Sequence, residues 1–231
     1  MSWARPPSRT SGSCVRPQEH RRGIDAGELS RSRDGRREIC RLGAGARLGG
    51  VAPLGKRTVR SVGFTLEPVM TMGGLRVTPD VDIASVEPTD VEVLILPGGT
   101  LRESDDYPRV ALEPLLTKLV DAGTPVAAIC AATLALGRAG ILDDRRHTSN
   151  ARSYLAARAG GYAGGEYYVD VPVIADRHVI TASGLAAVDF ARAIFAELGV
   201  ATDDQRAMWY DLFKHGRLPD VVAAPIGDAR T

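Results

Sequence analysis

Apolar and polar positions alternate between two periods along this chain, and the change from one to the other marks its elements. Val91–Leu96 and Pro125–Ile129 are short, almost uninterrupted apolar runs, the pattern of strands buried on both faces. Between them, Tyr107–Ala122 places Val110, Leu112, Leu115, Leu116, Leu119 and Val120 at helical spacing, and Gly123 marks the end. Thr58–Leu66 reads as a strand, Met72–Val81 as a turn with short extended pieces, and Ala131–Gly140 as a helix. His147–Ser153 reads as a short strand or loop, and Gly160–Gly165 as a turn. Tyr167–Val171, Val173–Ala175 and His178–Thr181 read as short strands, and Ala186–Leu198 and Asp203–His215 as helices. Buried strands alternating with helices predict an α/β fold: a doubly wound, flavodoxin-like, mostly parallel sheet with helices on both faces.

Residues 1–57 break this pattern. They are rich in Arg, Gly and Ser, carry no hydrophobic period, and hold 13 Lys and Arg against 5 Asp and Glu. The remainder holds 16 against 23, so the net charge of +1 conceals a basic arm on a mildly acidic domain. The division predicted is residues 1–57 as a disordered or frame-shifted segment, 58–218 as the α/β domain and 219–231 as a tail. The acidic domain offers no basic face for nucleic acid, and no apolar run reaches the ~20 residues of a membrane helix. Three widely spaced cysteines, Cys14, Cys40 and Cys130, fit neither a metal motif nor a disulfide scaffold and point to a reducing, cytoplasmic setting. No cofactor and no metal are expected.

Cys130 carries the candidate chemistry. The run Pro125–Ile129 ends at the thiol and a helix-forming run follows at once, the layout of a nucleophile elbow. Such a turn lifts the sulfur to the carboxyl edge of the sheet and aims the N-terminal amides of the next helix at it, favouring thiolate. Val91–Leu96 ends in Pro97-Gly98-Gly99 on the same edge, so the amides of Gly98, Gly99 and Ala131 are candidates for an oxyanion hole. The bland alternative is a small buried hydrophobe.

The Leu96-Pro-Gly-Gly turn, the Ala128-Ile-Cys-Ala elbow and Val179-Ile-Thr-Ala-Ser-Gly before a helix resemble the ThiJ/PfpI family, of class I glutamine amidotransferase-like fold. The likeness runs from about Thr58 to His215 and is closest to bacterial type 1 glutamine amidotransferase-like members and general stress proteins. It implies a cysteine-dependent hydrolase or lyase acting on a small electrophilic metabolite, a carbonyl or an amide, and a homodimer. It also implies a central first strand, a helix after it and an acid that meets the cysteine, and none of the three has a clear counterpart here, so that the first strand and helix read as missing or scrambled. One GC-rich back-translation of Ile39–Lys56, read one base later, opens Ser-Ala-Asp-Trp-Glu, similar to that segment. Glu103 and, less so, Glu67 are the acids available instead. Where many members place a histidine after two hydroxyl residues, this chain has His147-Thr148-Ser149-Asn150. Residues two apart share a strand face, which puts Thr148 with Asn150 at the pocket and leaves His147 as a surface histidine, or a base if the chain bends. Two further readings stay open: a redox-sensing or stress-response binding protein with an oxidisable Cys130, and an inactive, truncated member.

Overall fold

The computed structural model describes residues 38–42, 57–104 and 106–217. Its strands are β1 (Glu38–Leu42), β2 (Val59–Gly63), β3 (Val69–Met70), β4 (Arg76–Val77), β5 (Val81–Asp82), β6 (Val91–Leu96), β7 (Val126–Ile129), β8 (Val173–Asp176) and β9 (Val179–Ala182). Its helices are α1 (Arg109–Asp121), α2 (Thr133–Arg138), α3 (Arg152–Arg158), α4 (Ala187–Glu197) and α5 (Asp203–His215).

Seven strands form one sheet in the order β5-β2-β1-β6-β7-β9-β8. All neighbours run parallel except the edge pair β8–β9. This is the doubly wound architecture expected. Both faces of β6 and β7 are buried, which explains their apolar runs. Leu94, Leu96, Val126 and Ala128 join the cluster that includes Leu112, Leu116 and Leu119 of α1. Val93, Ile95, Ala127 and Ile129 join the opposite cluster with Phe190, Ile194 and Phe195 of α4. Side chains alternate along a strand, so each strand feeds both clusters.

Three expectations are corrected. An inner place in the sheet, between β2 and β6, is filled by β1, the strand for which the sequence offers no clear counterpart. A gap between two parallel strands leaves backbone donors and acceptors unpaired on both sides. A five-residue segment satisfies them through its own backbone, with little demand on side-chain pattern. Residues 1–37 and 43–56, and with them most of the segment used for the shifted-frame reading, lie outside the described residues, as does the tail 219–231. Second, Tyr167–Val171 is not a strand; only Tyr168 makes a bridge, to His147. Third, His178 belongs to a turn. Arg177 and His178 have φ of 47° and 63°, the left-handed pair that closes a two-residue hairpin between β8 and β9.

Local chemistry closes the helix ends. Gly123, at φ 69°, closes α1, and the amide of Thr124 bonds Leu119 O at 2.9 Å. Thr202 and Gln205 make a reciprocal capping box at the start of α5. Helix α3 went unrecognised in the sequence because Arg152–Arg158 is short and buries only Leu155.

Candidate functional site

The elbow forms as expected. β7 ends at Ile129, a single 3₁₀ turn spans Cys130–Ala132, and α2 follows directly. Cys130 has φ 60°, a left-handed conformation that costs a residue with a Cβ about 1–3 kcal/mol and recurs at functional sites. The turn is tied down from within. Thr133 Oγ1 donates to Cys130 O at 2.7 Å and lies 2.7 Å from Ser149 Oγ. Neither hydroxyl was singled out from the sequence, although a Thr three residues after the elbow cysteine is placed to bond back to it.

Three segments close on the half-buried thiol. Asn150 Nδ2 donates to Cys130 Sγ at 3.4 Å, while Asn150 Oδ1 accepts the Gly184 N–H at 2.9 Å. Asn150 thus lies at the sulfur, whereas Thr148, expected on the same face, does not, because this stretch is irregular and not an extended strand. Gly98 and Gly184 stand on either side. A Cβ at Gly98 would lie 2.8 Å from Cys130 Cβ and 3.3 Å from Sγ; one at Gly184 would lie 2.9 Å from Sγ. Both glycines are required by close approach to the cysteine. Gly99 is different: it is extended, with φ 169°, and a Cβ there would meet only open space. Gly184 was visible in the Ala182-Ser183-Gly184 motif, but its contact with the sulfur was not. Ala131 is buried in the elbow turn.

The other candidates go to different places. Thr148 is fully buried in the fold: its Oγ1 donates to Val171 O at 2.8 Å, and its N–H bonds Thr181 Oγ1 at 2.9 Å. His147 is no surface residue. It is fully buried between Tyr162 and Tyr168, with Nε2 2.6 Å from Tyr162 Oη and Nδ1 2.7 Å from Arg145 O. Burial pushes its pKa down, an effect the Arg145 hydrogen bond and Asp143 oppose. Both ring nitrogens are engaged, which leaves neither for the sulfur. Glu67 is exposed beyond β2.

Glu103 lies in the 3₁₀ turn Thr100–Glu103, which packs against the elbow turn. Its Oε1 accepts the Tyr154 hydroxyl at 2.8 Å, and its Oε2 pairs with Arg158 Nη1 at 3.1 Å. Burial first, then the Glu103 hydrogen bond and charge, then the charge on Cys130, push the Tyr154 phenol well above its ordinary value. The turn is anchored by Arg102, whose buried guanidinium donates to Pro97 O at 2.9 Å and to the Tyr107 hydroxyl. Desolvation lowers the Arg102 pKa against the pull of Tyr107. Arg138 at the end of α2 donates to Arg102 O at 2.7 Å and Arg158 O at 3.0 Å, tying this turn to α3.

Among the described residues, no cluster of His, Cys, Asp and Glu could hold a metal ion, and no helix is long and apolar enough to cross a membrane.

The DJ-1/PfpI family pattern matches residues 51–197. A Bacillus subtilis (strain 168) protein named "Uncharacterized protease YoaZ" is 36% identical over 159 residues, 68% of this chain and 73% of its own. "Glutathione-independent glyoxalase DJR-1.2" of Caenorhabditis elegans is 30% identical over 137 residues, 59% of this chain and 70% of its own. The crystal structure of a thiJ/pfpI family protein from Bacillus anthracis superposes with a TM-score of 0.71 at 31% identity, covering 78% of this chain and 92% of that one.

Proposed function

The chain belongs to the DJ-1/PfpI family, and on that footing we propose that Cys130 is the nucleophile of an enzyme acting on a small, electrophilic carbonyl compound. One observation carries this reading. The sulfur is held in a strained left-handed turn at the carboxyl edge of the sheet, with an amide donor at 3.4 Å and glycines on both sides. An amide that donates to sulfur stabilises the thiolate, the reactive form. The strain is retained where loosening the turn would remove the thiol from its partners.

The thiolate adds to the carbonyl carbon, and the backbone amides of Gly98, Gly99 and Ala131 receive the developing oxyanion. Gly99, next to Gly98 in the same turn, borders open space. A relative named a glyoxalase and another named a protease share an electrophilic carbonyl carbon as the natural target of such a thiolate. Simple carbonyl addition is favoured over peptide cleavage because cleavage needs an acid for the amine leaving group. The described histidines are engaged elsewhere: His147 with Tyr162, His178 with Glu197 and His215 near Asp211.

The test is consumption of a small α-oxoaldehyde by the protein and by Cys130→Ser, with the adduct located by mass spectrometry. Turnover that vanishes in the variant, with the adduct on Cys130, is the expected result. Equal rates in both proteins would overturn it. A second reading, a redox-sensing thiol, is favoured by the partial exposure of Cys130. It predicts reversible oxidation by peroxide with no aldehyde turnover.

A further inference from the structure

We propose that the buried hydroxyls of Thr133 and Ser149 are positioning residues that aim the Ala131 N–H at the developing oxyanion, a proposal that rests on the cysteine-nucleophile reading above. Thr133 Oγ1 lies 2.7 Å from two oxygens, the Cys130 carbonyl and the Ser149 hydroxyl. Thr133 is fully buried and Ser149 is 2% exposed, so bulk water does not compete for these bonds. Two hydroxyls taken out of water are retained at a cost unless both are satisfied, and here their bonds converge on the elbow.

Proton counting sets the direction of these bonds. A carbonyl can only accept, and a hydroxyl carries one proton. Thr133 gives its proton to Cys130 O, so the Ser149 hydroxyl must donate to Thr133 Oγ1. The result is a one-way chain from Ser149 through Thr133 to the Cys130 carbonyl, which also accepts the Thr133 backbone N–H. The next residue, Asn150, donates to Sγ. Two consecutive residues therefore grip the cysteine at opposite ends, Ser149 through its carbonyl and Asn150 through its sulfur.

Planarity carries the grip to Ala131. In a trans peptide the C=O and the N–H point in opposite directions, and the Cys130–Ala131 peptide is trans. Holding Cys130 O against Thr133 turns the Ala131 N–H away from the buried hydroxyls. Cys130, at φ 60°, is strained and would relax by rotating this peptide if the carbonyl were released. A donor stabilises an oxyanion most when it is aimed before the charge forms. Loss of either hydroxyl loosens that aim and leaves the Asn150 bond to the sulfur in place.

The experiment measures kcat and KM for an α-oxoaldehyde in wild type, Thr133→Val, Thr133→Ser, Ser149→Ala and the double variant Thr133→Val/Ser149→Ala. Melting curves and iodoacetamide alkylation of Cys130 are run in parallel. Thr133→Val should lower kcat by about tenfold or more with KM little changed, the mark of an interaction made in the transition state. Thr133→Ser keeps the hydroxyl and should restore most of the loss. The double variant should be no slower than Thr133→Val, because Ser149 acts through Thr133. It should nonetheless melt higher, since Thr133→Val strands the Ser149 hydroxyl and the double variant removes it. Alkylation forms no oxyanion and should continue in every variant. A kcat that follows the melting temperature across the set, or wild-type kcat in Thr133→Val, would overturn the positioning role alone. Alkylation slowed as much as turnover would put the effect on the sulfur and overturn the assignment to Ala131. Absence of wild-type turnover would overturn the carbonyl reading and this proposal with it.

Discussion

Asn150 faces two ways, donating from Nδ2 to Cys130 Sγ at 3.4 Å and accepting at Oδ1 the N–H of Gly184, 2.9 Å away. One amide therefore sets the sulfur and the glycine loop together. Asn150→Ala removes the donor and strands the Gly184 N–H, so iodoacetamide alkylation of Cys130 at neutral pH should slow about three- to tenfold, the effect of one hydrogen bond. Asn150→Asp places an acceptor and a negative charge against the sulfur and should slow it further. An unchanged rate in the aspartate variant would show that the amide does not support the thiolate.

Gly98 and Gly184 should tolerate no side chain. A methyl at either meets the cysteine at under 3.0 Å, and it comes from backbone that cannot swing away. Gly98→Ala and Gly184→Ala should each lose roughly 1–3 kcal/mol in denaturant unfolding and most of the Cys130 reactivity. Gly99→Ala, facing open space, is the matched control and should keep wild-type stability.

Stability and reactivity should part company at Cys130 itself. At φ 60° any residue with a Cβ is strained, and glycine is not. Cys130→Gly should therefore be more stable than Cys130→Ala by about 1 kcal/mol, or some 2–4 °C in Tm for a domain of this size. Equal melting points would mean that the elbow relaxes when the sulfur is removed.

His147 should make the fold sensitive to mild acid. Burial holds its folded pKa below the ordinary value, while in the unfolded chain it titrates near ~6.5. The unfolded state thus binds more protons once pH falls below that figure. The His147 contribution is present above pH ~6.5 and is lost as pH falls through the depressed folded value. Tm measured from pH 8 to 5 should fall more steeply in wild type than in His147→Gln. Parallel curves would remove His147 as the cause.

Local pattern decides a good deal in this protein. Strands buried on both faces must be apolar at nearly every position, so β6 and β7 stood out as runs and the doubly wound sheet followed from their alternation with α1 and α4. The elbow was legible because Ile129-Cys130-Ala131 leaves no room for a loop, whereas the alternation that paired Thr148 with Asn150 did not hold, because this stretch is irregular and Thr148 is buried against Val171 and Thr181. What the pattern could not carry was set by contacts between distant positions. The ladder that seats Glu38–Leu42 between β2 and β6 uses backbone groups every residue possesses, so no side-chain signature announces it. Burial of His147 depends on Tyr162 and Tyr168, and the Tyr154–Glu103 bond spans 51 positions in the chain. The sequence by itself determined where a thiol would be lifted to the edge of a sheet. Only the tertiary structure decided which polar groups meet it, because those distances are fixed by how separate elements pack and not by the spacing of residues within any one of them.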